Sequence, residues 1–198
     1  SGTKVAWRFL AAPIAGTQTI NQAWQEGEVA PTYTAVGFGT QIVGPGGTAV
    51  GYDINNTIPS LKTYAPATNT WVAVPNTLTT PISTTEGYML FIRGDRLANT
   101  FGSQNFTTLR MSGPIKTGPV TVSTANANVN QFISVGNPYP CPISFNSIST
   151  VRTGLQDVYY LWDPKIGTYG GYQTFAGGGY VPNPGGAEIG RASCRERV

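Results

Sequence analysis

The sequence predicts an all-β fold, a two-sheet sandwich of the jelly-roll type with at most one or two short helices. Three observations predict it. Charged residues make up only 11% of the 198 residues, and there are 25 glycines and 15 prolines, so long amphipathic helices are disfavoured. Turn residues recur about every 8 to 15 residues, as in sandwiches and barrels. The segments between the turns are apolar throughout or alternate apolar and polar side chains, as strands do.

The first predicted strand covers residues 4–10, where Trp7 and Phe9 lie on one face and Arg8 on the other. Residues 87–93 are apolar on both faces, which predicts a central and fully buried strand. Further strands are predicted at residues 40–43, 48–54, 107–111, 120–123, 131–135 and 157–162. We expect five side chains of these strands to be buried, those of Trp7, Phe9, Leu90, Ile92 and Val135.

One short helix is predicted after Thr19. Thr19 and Gln22 have the spacing of a capping box, and Ile20 and Trp24 form an apolar pair one helical turn apart. Gly27 is placed to end this helix.

Two similar segments each predict a β-hairpin, TYAPATNTW at 63–71 and LWDPKIGTY at 161–169. In each, a proline sets the first corner of the turn, and Asn69 or Gly167 tolerates the left-handed conformation before the return strand. The aromatic residues on either side of each turn can then meet across the strand pair.

The inventory of reactive groups argues against an enzyme. The chain has no histidine, which removes the Ser-His-Asp and Cys-His arrangements and the usual general base near neutral pH. A glycosidase needs two carboxyl groups roughly 5 to 10 Å apart, whereas Glu86 and Asp95 flank one predicted strand at opposite ends. We therefore expect no catalytic residue, no cofactor and no metal. The carboxylates of residues 1–187 are Glu26, Glu28, Asp53, Glu86, Asp95, Asp157 and Asp163.

Three small motifs admit a functional and a structural interpretation. Arg93-Gly94-Asp95 is an integrin-type tripeptide, but a structural turn with an Arg–Asp ion pair is the simpler interpretation. Residues 53–56 offer three oxygen-bearing side chains, too few for the six to eight oxygens of a calcium site, so a turn is favoured. Cys141 lies between two prolines, without a histidine to activate it, and is interpreted as a small packing residue.

Aromatic side chains supply the best candidate site. Sugar rings stack on aromatic rings through their C–H faces, and the alternative for every ring is packing across strands. We predict the ligand-binding residues to be Tyr159, Trp162, Tyr169 and Tyr172. They belong to a set of aromatic residues that is larger than the core between two sheets of one domain needs. The set is Trp71, Tyr88, Tyr159, Tyr160, Trp162, Tyr169, Tyr172 and Tyr180.

The last eleven residues, EIGRASCRERV at 188–198, differ in composition from the rest of the chain because five of them are charged. This peptide resembles a vector or adaptor read-through, and we predict a non-native tail. A disulfide between Cys141 and Cys194 is therefore not expected. Residues 1–187 are predicted to form a single β-sandwich domain, a fragment of a longer protein.

Several segments occur in an order that resembles one family. The family comprises β-rich domains of large secreted and cell-surface proteins of Bacteroidota, which are adhesin-like and associated with type IX secretion. The resemblance implies an extracellular, β-rich scaffold and supplies no catalytic residues. The segments that carry it are AWRFLAAPIAGTQTINQAW (6–24), LKTYAPATNTWVAV (61–74), EGYMLFIRGDR (86–96), TLRMSGPIKTG (108–118), VGNPYPCPISF (135–145), YYLWDP (159–164) and GGYQTF (170–175).

The functional expectation is a non-catalytic extracellular or cell-surface module of a bacterial protein, with a scaffold or adhesion role. The alternative is a carbohydrate-binding module of a secreted polysaccharide-degrading enzyme, and the neighbouring domains of the same polypeptide would distinguish the two. The expected partners are a glycan, a host or neighbouring-cell surface, and those neighbouring domains. The net charge of +3 is too small to indicate nucleic acid. No run of about 18 apolar residues occurs, so no membrane span is expected.

Overall fold

The structure is a computed structural model. It describes residues 6–53, 56–83, 85–97, 105–123, 130–144, 154–176 and 179–181. The strands are β1 (Ala6–Leu10), β2 (Leu61–Ala65), β3 (Thr70–Ala73), β4 (Tyr88–Ile92), β5 (Val158–Asp163), β6 (Gly171–Ala176) and β7 (Gly179–Val181). The helices are α1 (Ile20–Trp24) and two 3₁₀ turns, Gly47–Val50 and Pro66–Thr68. These elements confirm the all-β class, and the jelly-roll sandwich stays a prediction.

Strand β4 lies inside the first sheet, whose order is β1-β4-β2-β3 with antiparallel neighbours. Its residues Tyr88, Met89 and Leu90 are buried, while Ile92 is half-buried. The predicted central strand is therefore confirmed, and its burial is complete only over the first half.

One face of this sheet packs on α1 to form the hydrophobic core. The Thr19 hydroxyl accepts from the Gln22 backbone N–H at 3.2 Å, and the Gln22 side chain accepts from the Thr19 N–H at 2.9 Å. This confirms the predicted capping box, which satisfies two N–H groups at the helix start. Trp24 then meets Tyr88 edge to face, with ring centroids 5.1 Å apart. The core cluster contains Ala12, Ile20, Ala23, Trp24, Ile42, Tyr52, Leu61, Val74, Ile82, Tyr88 and Leu90.

Both predicted hairpins are present. Strands β2 and β3 turn through Asn69, whose φ is 55°, and Tyr64 and Trp71 pair across them with centroids 5.2 Å apart. Strands β5 and β6 form the second hairpin, and β7 extends it to a three-stranded sheet in the order β5-β6-β7.

The second hairpin differs from the expectation in its aromatic pair. Trp162 pairs with Tyr172, whereas Tyr169 lies in the connecting loop. The loop is longer than in the first hairpin because Asp163 pairs with Gly171. Gly170 has a φ of 108°, and a Cβ there would overlap the Trp162 indole, so only glycine fits between the loop and this ring.

Several predicted strands are wrong. Some of their backbone groups bond to a helix end or to single residues of other segments, without forming a continuous ladder with a neighbouring strand. For example, Thr40 N–H donates to the Trp24 carbonyl at 2.9 Å, and Asp53 N–H donates to the Ile42 carbonyl at 2.8 Å. Among the described residues, no strand is found at 40–43 or 107–111, which hold isolated bridges only, or at 120–123 and 131–135, which are irregular. Residues 48–53 begin in a 3₁₀ turn and end in an isolated bridge, and residue 54 of this predicted strand lies outside the described residues.

The burial predictions are partly confirmed. Leu90 is fully buried, but Trp7 and Phe9 are only half-buried. Val135 is 42% exposed, because its segment is not a strand and has no sheet to cover it. The interpretation of Cys141 as a packing residue is also wrong, because this cysteine is exposed.

The predicted tail at 188–198 lies outside the described residues. Among the residues that are described, no helix is long and apolar enough to cross a lipid bilayer.

Candidate functional site: an aromatic face between the sheets

The face of the first sheet that points away from the core is aromatic. Strand alternation brings Trp7 of β1 beside Phe91 of β4, with centroids 5.3 Å apart. Phe9 reaches Trp71 across the sheet at 5.8 Å. We call this surface the aromatic face, and its members are Trp7, Phe9, Tyr64, Trp71 and Phe91.

Two indole hydrogen bonds hold the second hairpin against the aromatic face. Trp162 Nε1–H donates to the Trp7 carbonyl at 2.8 Å, and Trp71 Nε1–H donates to the Tyr172 hydroxyl at 3.0 Å. Trp162 and Tyr172 also meet edge to face, with centroids 4.9 Å apart. We call the contact between the second hairpin and the aromatic face the junction. Its rings are therefore fixed by directional contacts as well as by packing.

The junction leaves several rings open to solvent. Tyr169 is 57% exposed and Tyr172 is 42% exposed, whereas Trp162 and Trp71 are half-buried. Tyr169 lies 6.4 Å from Phe91, measured between ring centroids. The structure thus brings three of the predicted site residues, Trp162, Tyr169 and Tyr172, to one partly exposed aromatic surface.

Tyr159 is not part of this surface. It lies on the opposite face of β5, where its ring stacks on that of Phe175 at 4.9 Å with an interplanar angle of 8°. Exposed Tyr160, on the same face as Trp162, contacts Phe132 at 5.4 Å. The side chain of Tyr180 lies outside what the structure describes. Tyr88, which the sequence grouped with the surplus aromatics, is a core residue.

Two tyrosines at the contact between the sheets, Tyr172 and Tyr64, remain neutral well above neutral pH. Burial raises the pKa of Tyr172, and the hydrogen bond from Trp71 opposes this in part. Burial also raises the pKa of Tyr64, and the nearby Tyr172 phenol adds to the effect. The Tyr64 hydroxyl donates to Asn69 Oδ1 at 2.6 Å. The surface therefore presents neutral hydroxyl and amide groups beside apolar rings.

The sequence interpretation treated part of this site as core. Trp7 and Phe9 were predicted to be buried, and the sequence did not group Tyr64 or Phe91 with the site. The alternation of β1 placed Trp7 and Phe9 correctly on one face. The sequence did contain a signal for Tyr64: the first hairpin places Tyr64 and Trp71 opposite each other, so the two rings share one sheet face.

Asp53 is the centre of a buried polar network. Its carboxylate accepts from Arg96 Nη2 at 2.7 Å, from the Tyr33 hydroxyl at 2.7 Å and from the Ile42 N–H at 2.9 Å. Both side chains of the Asp53–Arg96 pair are at most 2% exposed. Asp53 thus neutralises a buried arginine. Residues 54 and 55 of its motif lie outside the described residues, so the turn at 53–56 stays a prediction.

Asp95, the acid of the integrin-type tripeptide, is also structural. It is 1% exposed, and its oxygens accept from the N–H groups of Gly37 at 2.9 Å and Leu97 at 3.0 Å. An integrin would require this carboxylate at the surface. The residue after the tripeptide, Arg96, forms an ion pair with Asp53, which is not the Arg–Asp pair predicted within the tripeptide.

Three of the remaining acids also support local structure. Glu26 forms an ion pair with Arg110, Glu28 accepts from the Thr34 N–H at 2.9 Å, and Asp163 accepts from the Lys165 N–H at 2.8 Å. In the described parts of the chain, no group of three or more His, Cys, Asp or Glu residues could hold a metal ion.

Alkaline pH is expected to destabilise the fold through Tyr88. Burial, and to a lesser extent the charge of Glu86, raises the pKa of Tyr88 to about 12, although the Ser83 N–H opposes the shift. The unfolded chain loses this proton near its ordinary pKa of 10.0, while the folded chain keeps it. The contribution of neutral Tyr88 to the free energy of unfolding is therefore fully present below about pH 10. It declines by on the order of 2 kcal/mol as the pH rises towards 12.

Urea denaturation at several alkaline pH values measures this decline. Tyr88→Phe, which cannot ionise, should make the decline shallower. A decline of the same steepness in the Tyr88→Phe variant would contradict the assignment.

No protein-family model, curated protein or solved structure matches this chain. The function is accordingly argued from the aromatic face and from the contacts of the charged groups.

Proposed function

We propose that this chain is a non-catalytic module of an extracellular bacterial surface or secreted protein, with a scaffold and adhesion role in which it binds glycans. One observation carries the proposal. Tyr169 and Tyr172 are held exposed beside the indoles of Trp71 and Trp162 by hydrogen bonds to the first sheet. The resemblance of the ordered segments to adhesin-like domains supports the extracellular setting.

This arrangement suits a sugar ring for two physical reasons. The C–H face of a sugar packs on an aromatic ring, and its hydroxyl groups need neutral partners such as the Tyr172 phenol or the Asn69 amide. The rings are already ordered by their mutual contacts, so binding loses little side-chain entropy.

The contacts of four of the seven acids in residues 1–187 support a non-catalytic role. Of the carboxylates that glycoside hydrolysis would need, Asp53 and Asp95 are buried and hydrogen-bonded, and Glu26 and Asp163 hold local structure. A catalytic pair must instead face a cleft and exchange protons with substrate.

The alternative, a carbohydrate-binding module attached to a polysaccharide-degrading enzyme, would use the same aromatic face. The two proposals differ in the neighbouring domains: a catalytic domain favours the enzyme, whereas repeats or a sorting domain favour the surface protein.

A glycan-array screen of the full chain tests the proposal, followed by titration of the best glycan against two variants. Tyr172→Ala and Tyr169→Ala should each weaken binding about fivefold, since one stacking contact contributes about 1 kcal/mol. The matched control is Tyr159→Ala, on the opposite face of β5, which should keep the wild-type affinity. Circular dichroism checks that all three variants are folded. Binding that is insensitive to both Tyr172 and Tyr169 would overturn the site.

A further inference from the structure

Lys62 lies within the aromatic face. It is on β2, an inner strand of the first sheet, where it pairs with Met89 of β4 on one side and Ala73 of β3 on the other. It therefore shares a sheet face with Tyr64, two residues further along the strand. Its ammonium group lies 5.2 Å from the centroid of the Trp7 ring, and the residue is half-buried.

The charge of this sheet has one sign. Strands β1 to β4 contain two charged residues, Arg8 and Lys62, and no carboxylate. Directly after β4, the Arg93 guanidinium lies 4.7 Å from the centroid of Phe91. Among the described residues, Lys62 takes part in no ion pair. Of the two charged residues on these strands, only Lys62 lies on the aromatic face, because Arg8 alternates onto the other face of β1. No carboxylate of β1 to β4 accompanies it there.

This inference rests on the proposed glycan binding. Given that binding, the positive charge of Lys62 determines which class of glycan is bound. We propose that the aromatic face recognises acidic glycans and that Lys62 is the specificity-determining residue, its ammonium pairing with a sugar carboxylate or sulfate. A sugar stacked on neighbouring rings brings its acidic group within reach of this ammonium. The half-buried position reduces screening by solvent, so the charge-assisted contact is stronger than at an open surface.

A purely structural role for Lys62 makes a different prediction. Its methylene stem packs on the sheet, and its ammonium interacts favourably with the Trp7 ring. Lys62→Met keeps an apolar stem of similar length and removes the charge. If the role were structural only, this variant would lose stability without changing the choice between acidic and neutral glycans.

The test compares matched ligands that differ in charge: polygalacturonate against its methyl ester, and dextran sulfate against dextran. The full chain should bind at least one acidic member about tenfold more tightly than its neutral partner, and the difference should shrink in about 1 M salt. Lys62→Met should abolish this preference while keeping its affinity for the neutral partner. Lys116→Met, with the same loss of charge away from the aromatic face, should keep the preference.

The outcomes separate the two proposals. A preference for polygalacturonate alone identifies a carboxylate as the ligand group, and a preference for dextran sulfate alone identifies a sulfate; both support the inference. Equal affinity for charged and neutral partners, or an acidic preference that survives Lys62→Met, overturns the inference and leaves glycan binding intact. Absence of any glycan binding, in the array and in both pairs, overturns both.

Discussion

Replacing Arg96 with methionine is expected to lower the free energy of unfolding by about 3 to 5 kcal/mol, because the variant leaves the Asp53 carboxylate buried without its counter-charge. Arg96 Nη2 donates to Asp53 Oδ1 at 2.7 Å, and Nη1 donates to the Gln25 carbonyl at 2.7 Å. The variant therefore also removes a partner from a carbonyl next to α1. Urea denaturation followed by circular dichroism measures the loss.

Arg110→Met is the matched control. Arg110 likewise pairs with an acidic residue, Glu26, but the Arg110 side chain is 51% exposed. Solvent screens exposed ion pairs, which contribute little to stability, so this variant should remain close to wild type. The double variant Arg96→Met/Asp53→Asn removes both charges and keeps an amide oxygen that can accept from the Ile42 N–H, so it should recover part of the stability lost in Arg96→Met. Equal losses in Arg96→Met and Arg110→Met would contradict the importance of the buried pair.

Trp24→Ala is expected to destabilise the fold by about 3 to 5 kcal/mol, the cost of a large cavity in a packed core. Trp24 is 1% exposed, and its ring meets Tyr88 edge to face with centroids 5.1 Å apart. It is the last residue of α1, so its ring attaches the helix to the first sheet. The midpoint of urea denaturation measures the change.

Trp71→Ala provides the comparison for this core substitution. The Trp71 ring is half-buried and hydrogen-bonds to exposed Tyr172, so its removal should cost much less stability. It should, however, weaken glycan binding about fivefold or more, because it removes both a ring and the hydrogen bond that holds Tyr172. Trp24→Ala should bind glycan normally at temperatures where it is folded. A greater loss of stability in Trp71→Ala than in Trp24→Ala would contradict the division between core and binding face.

The features that were correctly predicted from sequence are local. The capping box depends on Thr19 and Gln22, three residues apart, and the first hairpin depends on Pro66 and Asn69 at fixed places in one turn. Such interactions form within a few residues, so the sequence pattern contains all the partners. The central strand β4 was also recognised, because it is apolar throughout.

The wrong strands show the limit of local pattern. Residues 40–43 and 131–135 have suitable side chains, but a strand also needs a neighbour with which to pair. Thr40 instead bonds to Trp24 at the end of α1. Sequence pattern does not reveal which distant segment lies beside a given stretch, so these strands could not be excluded in advance.

Only part of the aromatic face was predicted, because its other contacts join segments that are distant in the sequence. Alternation grouped Trp7 with Phe9, but nothing local indicates that this face meets the second hairpin. The contact that decides it, from Trp162 to Trp7, joins residues 155 positions apart. The Asp53–Arg96 pair is likewise long-range, with a separation of 43 residues.

The central claim is that a glycan binds on the aromatic face, and the indole N–H signals of ¹⁵N-labelled protein in a nuclear magnetic resonance titration test it most directly. Trp71 and Trp162 hydrogen-bond at the junction, while Trp24 lies in the core and serves as an internal reference. On addition of the best glycan from the array, the Trp71 and Trp162 signals should shift with the same dissociation constant, and the Trp24 signal should stay in place. A glycan that saturates the protein without moving the Trp71 and Trp162 signals would contradict the claim.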